Sequence, residues 1–140
     1  MIRDATTADI PRMIEIRAAV RENRLSDPAR VTPADYRRRL DDGAIWVCEV
    51  DGRIDGFSAC DSRDGSIWAL FVDPGREGRG VGRALLARAC AKLQAAGHAT
   101  IKLSTDAGTR AERFYRANGW NDRGRDIRGE VLFEKAASEA

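Results

Sequence analysis

At 140 residues the chain is sized for one domain, since two would each be undersized. Lys and Arg number 24 against 22 Asp and Glu, a net +2 that is too mild to call for a nucleic acid or a membrane surface as partner. Hydrophobic residues at 43% exclude a disordered chain, and the longest apolar run, Ile67 to Val72, falls far short of a bilayer span.

The N-terminus, Met1-Ile2-Arg3-Asp4, runs straight into polar residues with no secretory core, so a cytoplasmic location is expected. Thr6 and Thr7 precede a helix with Ile10, Met13, Ile14, Ile16 and Val20 at helical spacings, and Pro11 is early enough for its first turn. A polar segment from Arg21 to Val31 interrupts the pattern. A second helix starts at Thr32-Pro33-Ala34-Asp35: Thr32 suits the cap, Pro33 the first position and Asp35 the positive end of the dipole. Gly43 closes it.

Ala44 to Val50 and Ile54 to Cys60 read as strands of a hairpin turned at Asp51-Gly52. That turn puts Cys48 and Cys60 out of register. With Cys90 they make an odd count without C-x-x-C spacing, and there is a single His, so neither a disulfide framework nor a metal site is expected. After a polar turn, the unbroken run Ile67 to Val72 predicts a strand buried on both faces. The glycine-rich stretch Asp73 to Gly82 leads into a helix through Leu85, Leu86, Ala89, Cys90 and Leu93, closed by Gly97. Thr100 to Ser104 is a further strand, and Thr109-x-x-Glu112 is a capping-box signature opening a helix stopped at Gly119. Trp120 to Arg125 and Glu130 to Lys135 are the last strands. Residues 1–135 thus form one mixed α/β domain, and 136–140 are expected to fray.

The chemistry concentrates in the glycine turn. Gly75, Gly78, Gly80 and Gly82 fall within eight positions, interleaved with Arg76 and Arg79 and followed by Arg83. A helix N-terminus offers unpaired N–H groups and partial positive charge, and glycines let an anion approach the main chain closely. This is a phosphate or diphosphate site. A Walker A loop is excluded because Gly82 is followed by Arg83-Ala84 rather than Lys-Ser/Thr. A dinucleotide fingerprint fails because its third glycine is missing, its strand is not the first, and Lys102 stands near the acidic position.

The segment Val72-Asp73-Pro74-Gly75-Arg76-Glu77-Gly78-Arg79-Gly80-Val81-Gly82-Arg83 resembles the acyl-CoA-binding motif of the GNAT superfamily of N-acyltransferases, R/Q-x-x-G-x-G/A. Downstream, Ala111-Glu112-Arg113-Phe114-Tyr115-Arg116-Ala117-Asn118-Gly119-Trp120 resembles its A-x-x-F-Y-x-x-x-G-F/W motif. The two stand in the superfamily's order and separation. Two positions depart from the pattern: Glu77 replaces the usual Arg or Gln, and Gly108 stands where many members carry an Asn.

The resemblance implies a GNAT-like fold, a mostly antiparallel central sheet with one splayed parallel pair of strands and about four helices. It implies acetyl-CoA as acyl donor, no metal, and direct attack by a primary amine, on a small molecule or a peptide, in a ternary complex. Leu70, Phe71 and Val72 would meet the pantetheine and acetyl group, with a backbone N–H polarising the thioester. Gly78, Arg79, Gly80, Val81, Gly82 and Arg83 would hold the diphosphate. Tyr115 would be the general acid toward the leaving thiolate. The base stays open: the strands S-I-W-A-L-F-V and T-I-K-L-S-T carry no carboxylate, while Asp61, Asp64 and Asp106 at strand ends could act as bases directly or through water but read rather as turn or capping residues, and His98 reads as a surface residue. Tyr36 reads as a packing residue that would otherwise line the acceptor pocket. By the same resemblance the acceptor lies between Arg21–Val31 and Arg123–Gly129, whose arginines would favour a carboxylate or phosphate on it. A longer acyl-CoA, or a CoA-binding sensor without catalysis, are the rival functions. Homodimerisation is expected by analogy, and nucleic acid and membrane partners are not expected.

Overall fold

The computed structural model describes residues 1–20 and 31–140, and its elements follow the changes of period in the sequence. Arg21, Arg24 and Arg30 of the expected acceptor loop lie outside the described residues. A short strand, β1 (Ile2–Asp4), comes first, without a period of its own to announce it. A single 3-10 turn, Thr7–Asp9, leads into α1 (Ile10–Ala19), with Pro11 in its first turn. In α2 (Pro33–Asp41) the cap is reciprocal: Thr32 Oγ1 accepts from the Asp35 N–H at 3.4 Å, and Asp35 Oδ2 from the Thr32 N–H at 2.8 Å.

Strands β2 (Ile45–Val50) and β3 (Arg53–Asp61) form the expected hairpin. Asp51 at φ 51° and Gly52 at φ 76° make the left-handed pair that a tight two-residue turn requires. Gly56, not Cys60, faces Cys48, and all three cysteines are free and buried. Next come β4 (Ser66–Val72), α3 (Val81–Ala95), β5 (Thr100–Thr105), α4 (Arg110–Ala117), β6 (Asn121–Arg125) and β7 (Val131–Ala136). At the start of α4, Thr109 Oγ1 accepts from the Glu112 N–H as expected, whereas the Glu112 carboxylate reaches one residue past the cap to the Gly108 N–H.

The seven strands order β1-β2-β3-β4-β5-β7-β6, antiparallel everywhere except for the β4–β5 pair. Alternate residues of each strand face opposite sides. On one side Met13 and Ile16 of α1 and Tyr36 of α2 pack against Val47, Phe57 and Ala59. On the other, Leu85, Ala89 and Leu93 of α3 and Tyr115 of α4 pack with Cys60, Ile101 and Phe133. Covered on both faces, β3 buries even Ser58, whose hydroxyl donates to the Leu85 carbonyl at 2.9 Å. Among the described residues, no helix is long and apolar enough to cross a membrane.

Two readings of the sequence change. β4 is not buried on both faces throughout: Ile67 and Ala69 are buried, while Trp68, Leu70, Phe71 and Val72 are only partly covered. The cause lies in the pairing. β4 touches β5 at one register pair, Ser66 with Lys102, and the strands diverge beyond it. Against β3, Ala69 faces Ala59 and Ile67 faces Cys60, which leaves Trp68 as an extra residue, a β-bulge. A bulge bends its strand and increases local twist, and so carries β4 away from β5. Second, the C-terminus is held more firmly than its composition suggests. Ala136 closes β7, and Ala137 is buried with its N–H on the Ala99 carbonyl at 2.8 Å.

At Gly56 the sheet and α3 pack closely. A Cβ there would stand 2.8 Å from the Phe71 carbonyl oxygen, 3.1 Å from Leu85 Cδ1 and 3.2 Å from Val81 Cγ1. The nearest of these atoms is backbone and cannot rotate away. Gly56→Ala is expected to cost about 1–3 kcal/mol, through overpacking. Urea unfolding of the variant beside Gly43→Ala, where space is open and only the positive φ opposes the side chain, measures how much is steric.

Candidate active site

The divergence of β4 and β5 opens two cavities that meet. The first, of about 400 Å³, lies between the divergent strands and the first two helices, and includes Arg17, Tyr36, Trp68, Asp106, Arg128 and Glu130 in its walls. The second, of about 470 Å³, lies over the glycine turn. Leu70, Phe71, Ala111 and Tyr115 belong to both. Past Ser66, β4 has no strand ladder on its β5 side, so backbone groups turned that way are left for a ligand.

Of the residues expected to hold the cofactor, Leu70, Phe71, Val72, Gly78, Gly80, Val81, Gly82 and Arg83 line the second cavity, and Arg79 does not. Arg79 is exposed, flanked by two glycines that turn the chain: Gly78 and Gly80 both sit at φ 80°, a left-handed conformation that a side chain would strain. Gly80 is the cap of α3, whose ladder begins with the Ala84 N–H on the Gly80 carbonyl at 3.1 Å. The N–H groups just before Ala84 are those a helix start leaves without intrahelical partners. Approach to this turn is fixed by Asp73, whose Oδ1 accepts from the Gly75 N–H at 3.0 Å and whose Oδ2 pairs with Arg12 Nη2 at 2.6 Å. The Gly75 N–H, and then Arg12, hold the Asp73 carboxyl below its usual range.

Glu77, at the position of the usual Arg or Gln, pairs with Arg110 at 2.9 Å, and both residues line the second cavity. The acidic side chain is thus partly neutralised by the helix that also carries Tyr115. Tyr115 is itself buried, packed near Phe114, Trp120 and Phe133 with ring centroids at 5.4, 5.7 and 5.8 Å. Burial pushes its hydroxyl well above the ordinary tyrosine value, so it keeps its proton.

The three carboxylates considered as bases separate clearly. Asp61 is engaged by Arg63 at 3.0 Å, and Asp64 accepts from the Ser66 N–H and hydroxyl. Only Asp106 lines the first cavity. His98 stands outside both cavities, with Nε2 2.6 Å from the Ser62 carbonyl. Tyr36 is the packing residue its position suggests, buried beside Phe57 and Trp68, and it also lines the first cavity. Of the arginines in the last loop, Arg128 reaches that cavity, whereas Arg125 pairs with Asp122 and Arg123 with Glu134. Sequence reasoning missed Arg17, Trp68 and Glu130. Arg17 had a signal: with Met13 and Val20 it stands at i, i+4, i+7 on the helix, a charged residue within an apolar stripe.

A sheet parted at one parallel pair, with a glycine-capped helix start beside the parting, is the architecture of a CoA-dependent acyltransferase fold. The family model of the acetyltransferase (GNAT) domain matches residues 41–122, more than half of the chain, and the chain belongs to that family. It is 32% identical over 95 residues to the uncharacterized N-acetyltransferase MJ1207 of Methanocaldococcus jannaschii, a match covering 61% of this chain and 42% of that protein. The chain spans less than half the length of the curated relatives it matches. The PaiA N-acetyltransferase of Thermoplasma acidophilum, solved in complex with coenzyme A, superposes with a TM-score of 0.80 at 15% identity, over 97% of this chain and 98% of that one. YncA of Salmonella typhimurium, solved with its cofactor acetyl-CoA, superposes at 0.73 and 21% identity, over 98% and 93%. These likenesses establish the fold, with its mostly antiparallel sheet and one parallel pair.

The Glu77–Arg110 pair generates a test. Glu77→Gln is expected to tighten CoA binding by about three- to tenfold, because a carboxylate leaves the turn. Titration calorimetry at low and high salt checks it, with the gain shrinking as salt rises.

Proposed function

We propose that the protein transfers the acetyl group of acetyl-CoA to a primary amine, by direct attack in a ternary complex. The diphosphate of the donor rests on the N–H groups of Gly78 to Arg83, and its pantetheine arm runs along Leu70, Phe71 and Val72. The acceptor enters by the first cavity. Its nitrogen meets the thioester at the junction, where a backbone N–H of β4 would stabilise the oxyanion and Tyr115 would protonate the departing thiolate. Cytoplasmic acetyl-CoA is the natural supply, and three free, buried cysteines suit that reducing setting.

The observation that carries this reading is that the two cavities share Leu70, Phe71, Ala111 and Tyr115. A CoA sensor needs the second cavity alone; a second chamber opening on the same four residues favours an enzyme. Thiol release from acetyl-CoA over an amine panel, with propionyl-CoA and octanoyl-CoA as alternative donors, tests both the transfer and the acyl length. Protection by CoA in a thermal melt without release from any amine would overturn the enzyme in favour of the sensor.

Tyr115→Phe is expected to lower kcat by about 10- to 100-fold, the lower part of the range for acid–base residues, since a thiol of pKa about 8.5 already leaves readily. The Kd for CoA, read by calorimetry, should not move. Because the raised pKa keeps Tyr115 protonated, the wild-type rate should climb with pH as the amine loses its proton. It should then level off, without a decline near the ordinary tyrosine value of about 10.

A further inference from the structure

The first cavity contains two donors that the protein leaves unanswered. Arg17 lines it with its guanidinium 4.6 Å from the centre of the Phe71 ring, and its buried Nη1 has no hydrogen-bond partner. Other arginines of the chain, Arg3, Arg12, Arg53 and Arg116 among them, reach carboxylates, whereas Arg17 has no ion pair with any described residue. Beside it stands Tyr36, 1% exposed, whose buried O–H has no acceptor. Burial pushes that hydroxyl's pKa up, and Arg17, by its charge and by hydrogen bonding to the hydroxyl oxygen, pulls it partly back. Buried polar groups in folded proteins are nearly always satisfied, and a guanidinium can be satisfied only by an acceptor.

We propose that this pair is the seat of a carboxylate, and that the acceptor is amino-acid-like, with its amine and its carboxylate on one small molecule. The proposal rests on the acetyl-transfer reading and names the substrate class for it. A carboxylate offers oxygens to both the guanidinium and the hydroxyl, the charge-assisted arrangement that arginine favours. The same cavity is lined by Asp106 and Glu130, acidic residues suited to an ammonium group before it is deprotonated. Ile67, Trp68 and Leu103 line the same cavity and offer apolar surface for a side chain. The volume of about 400 Å³ falls within the range for small-molecule sites, roughly 300–1,000 Å³. Arg17 and Tyr36 are thus specificity-determining residues. In the reaction the amine nitrogen forms the amide bond as the C–S bond of acetyl-CoA breaks; the amine proton is lost to solvent and CoA leaves as the thiol.

The test compares leucine and phenylalanine with their carboxamides and with the decarboxylated amines isoamylamine and phenethylamine, adding O-phosphoethanolamine for the phosphate case. Thiol release gives kcat/KM, and calorimetry of N-acetylphenylalanine against N-acetylphenylalaninamide, with CoA present, reads the seat without turnover. The carboxylates are expected to exceed their carboxamides by at least about tenfold, chiefly in KM, as for sites built around a polar partner. Arg17→Gln should bring that ratio close to one with the Kd for CoA unmoved, and Tyr36→Phe, a change of one buried oxygen, should reduce it in part. Equal use of carboxylate and carboxamide, an undiminished ratio in both variants, or preference for O-phosphoethanolamine would each overturn the proposal. Release without preference sinks the seat and leaves acetyl transfer standing. Selective binding of N-acetylphenylalanine without release from any amine supports the seat and sinks acetyl transfer. Neither binding nor release overturns both.

Discussion

The whole site depends on β4 having one residue too many. A parallel strand pair deep in a sheet ordinarily continues its ladder, since each unpaired backbone group buried away from water is costly. Here the β4–β5 ladder stops at Ser66 and Lys102. Trp68 is extra with respect to β3, so Trp68 and Ala69 both belong to the core under α1 and α2. The strand stays anchored on its β3 side through Phe71 and Val72, opposite Phe57 and Gly56, and only its β5 side comes free. Divergence without loss of the sheet is what lets a ligand reach backbone that would otherwise be paired.

That opening must be held at both ends, and charges do much of the holding. Arg12 of α1 donates to the Ile54 carbonyl of β3 at 3.1 Å and pairs with Asp73, which in turn caps the glycine turn at Gly75. One arginine thus ties the first helix, the central strand and the approach to α3. These groups are partly exposed, so their energetic value is modest and their geometry matters more. At the other end α4 is fixed by Glu112 on the Gly108 N–H and by Arg116, which pairs with both Glu112 and Asp122. One clamp holds the approach to the glycine turn and the other the helix that carries Tyr115.

The parts that could be read from the sequence are those that local chemistry dictates. Thr32-Pro33-Ala34-Asp35 caps its helix, Asp51-Gly52 makes its turn, and Gly78 to Arg83 form a helix start lined with glycine. Each depends on residues a few positions apart. The bulge at Trp68 was not legible, because nothing in S-I-W-A-L-F-V distinguishes a bulged strand from a buried one; the register against β3 decides it. The same holds for Arg79, which shares the glycine turn's sequence yet lies outside the cavity wall, and for Ala137, held by the distant Ala99 carbonyl. Arg17 was half legible, since its place in the apolar stripe could be read but not the cavity it borders.

Trp68 links the opening to the charges of the first cavity. Its ring lines the first cavity, with the Arg39 guanidinium 4.1 Å from its centre, Arg17 at 5.8 Å, and Tyr36 edge-on at 5.3 Å. Cations over an aromatic face are stabilised by the ring's electron density, the more so where water is excluded. Two guanidiniums near one indole repel each other, but Arg39 has Asp61 as a counter-ion at 3.9 Å, and Arg17 has none among the described residues. The bulge therefore does two things with one residue. It parts the strands, and it builds the wall against which the Arg17 charge is held. An anion arriving on that side would complete the charge balance of the wall, and in the proposed reaction the same step would bring the amine to the parted strands, so that filling the cavity and aligning the reactants would be a single event.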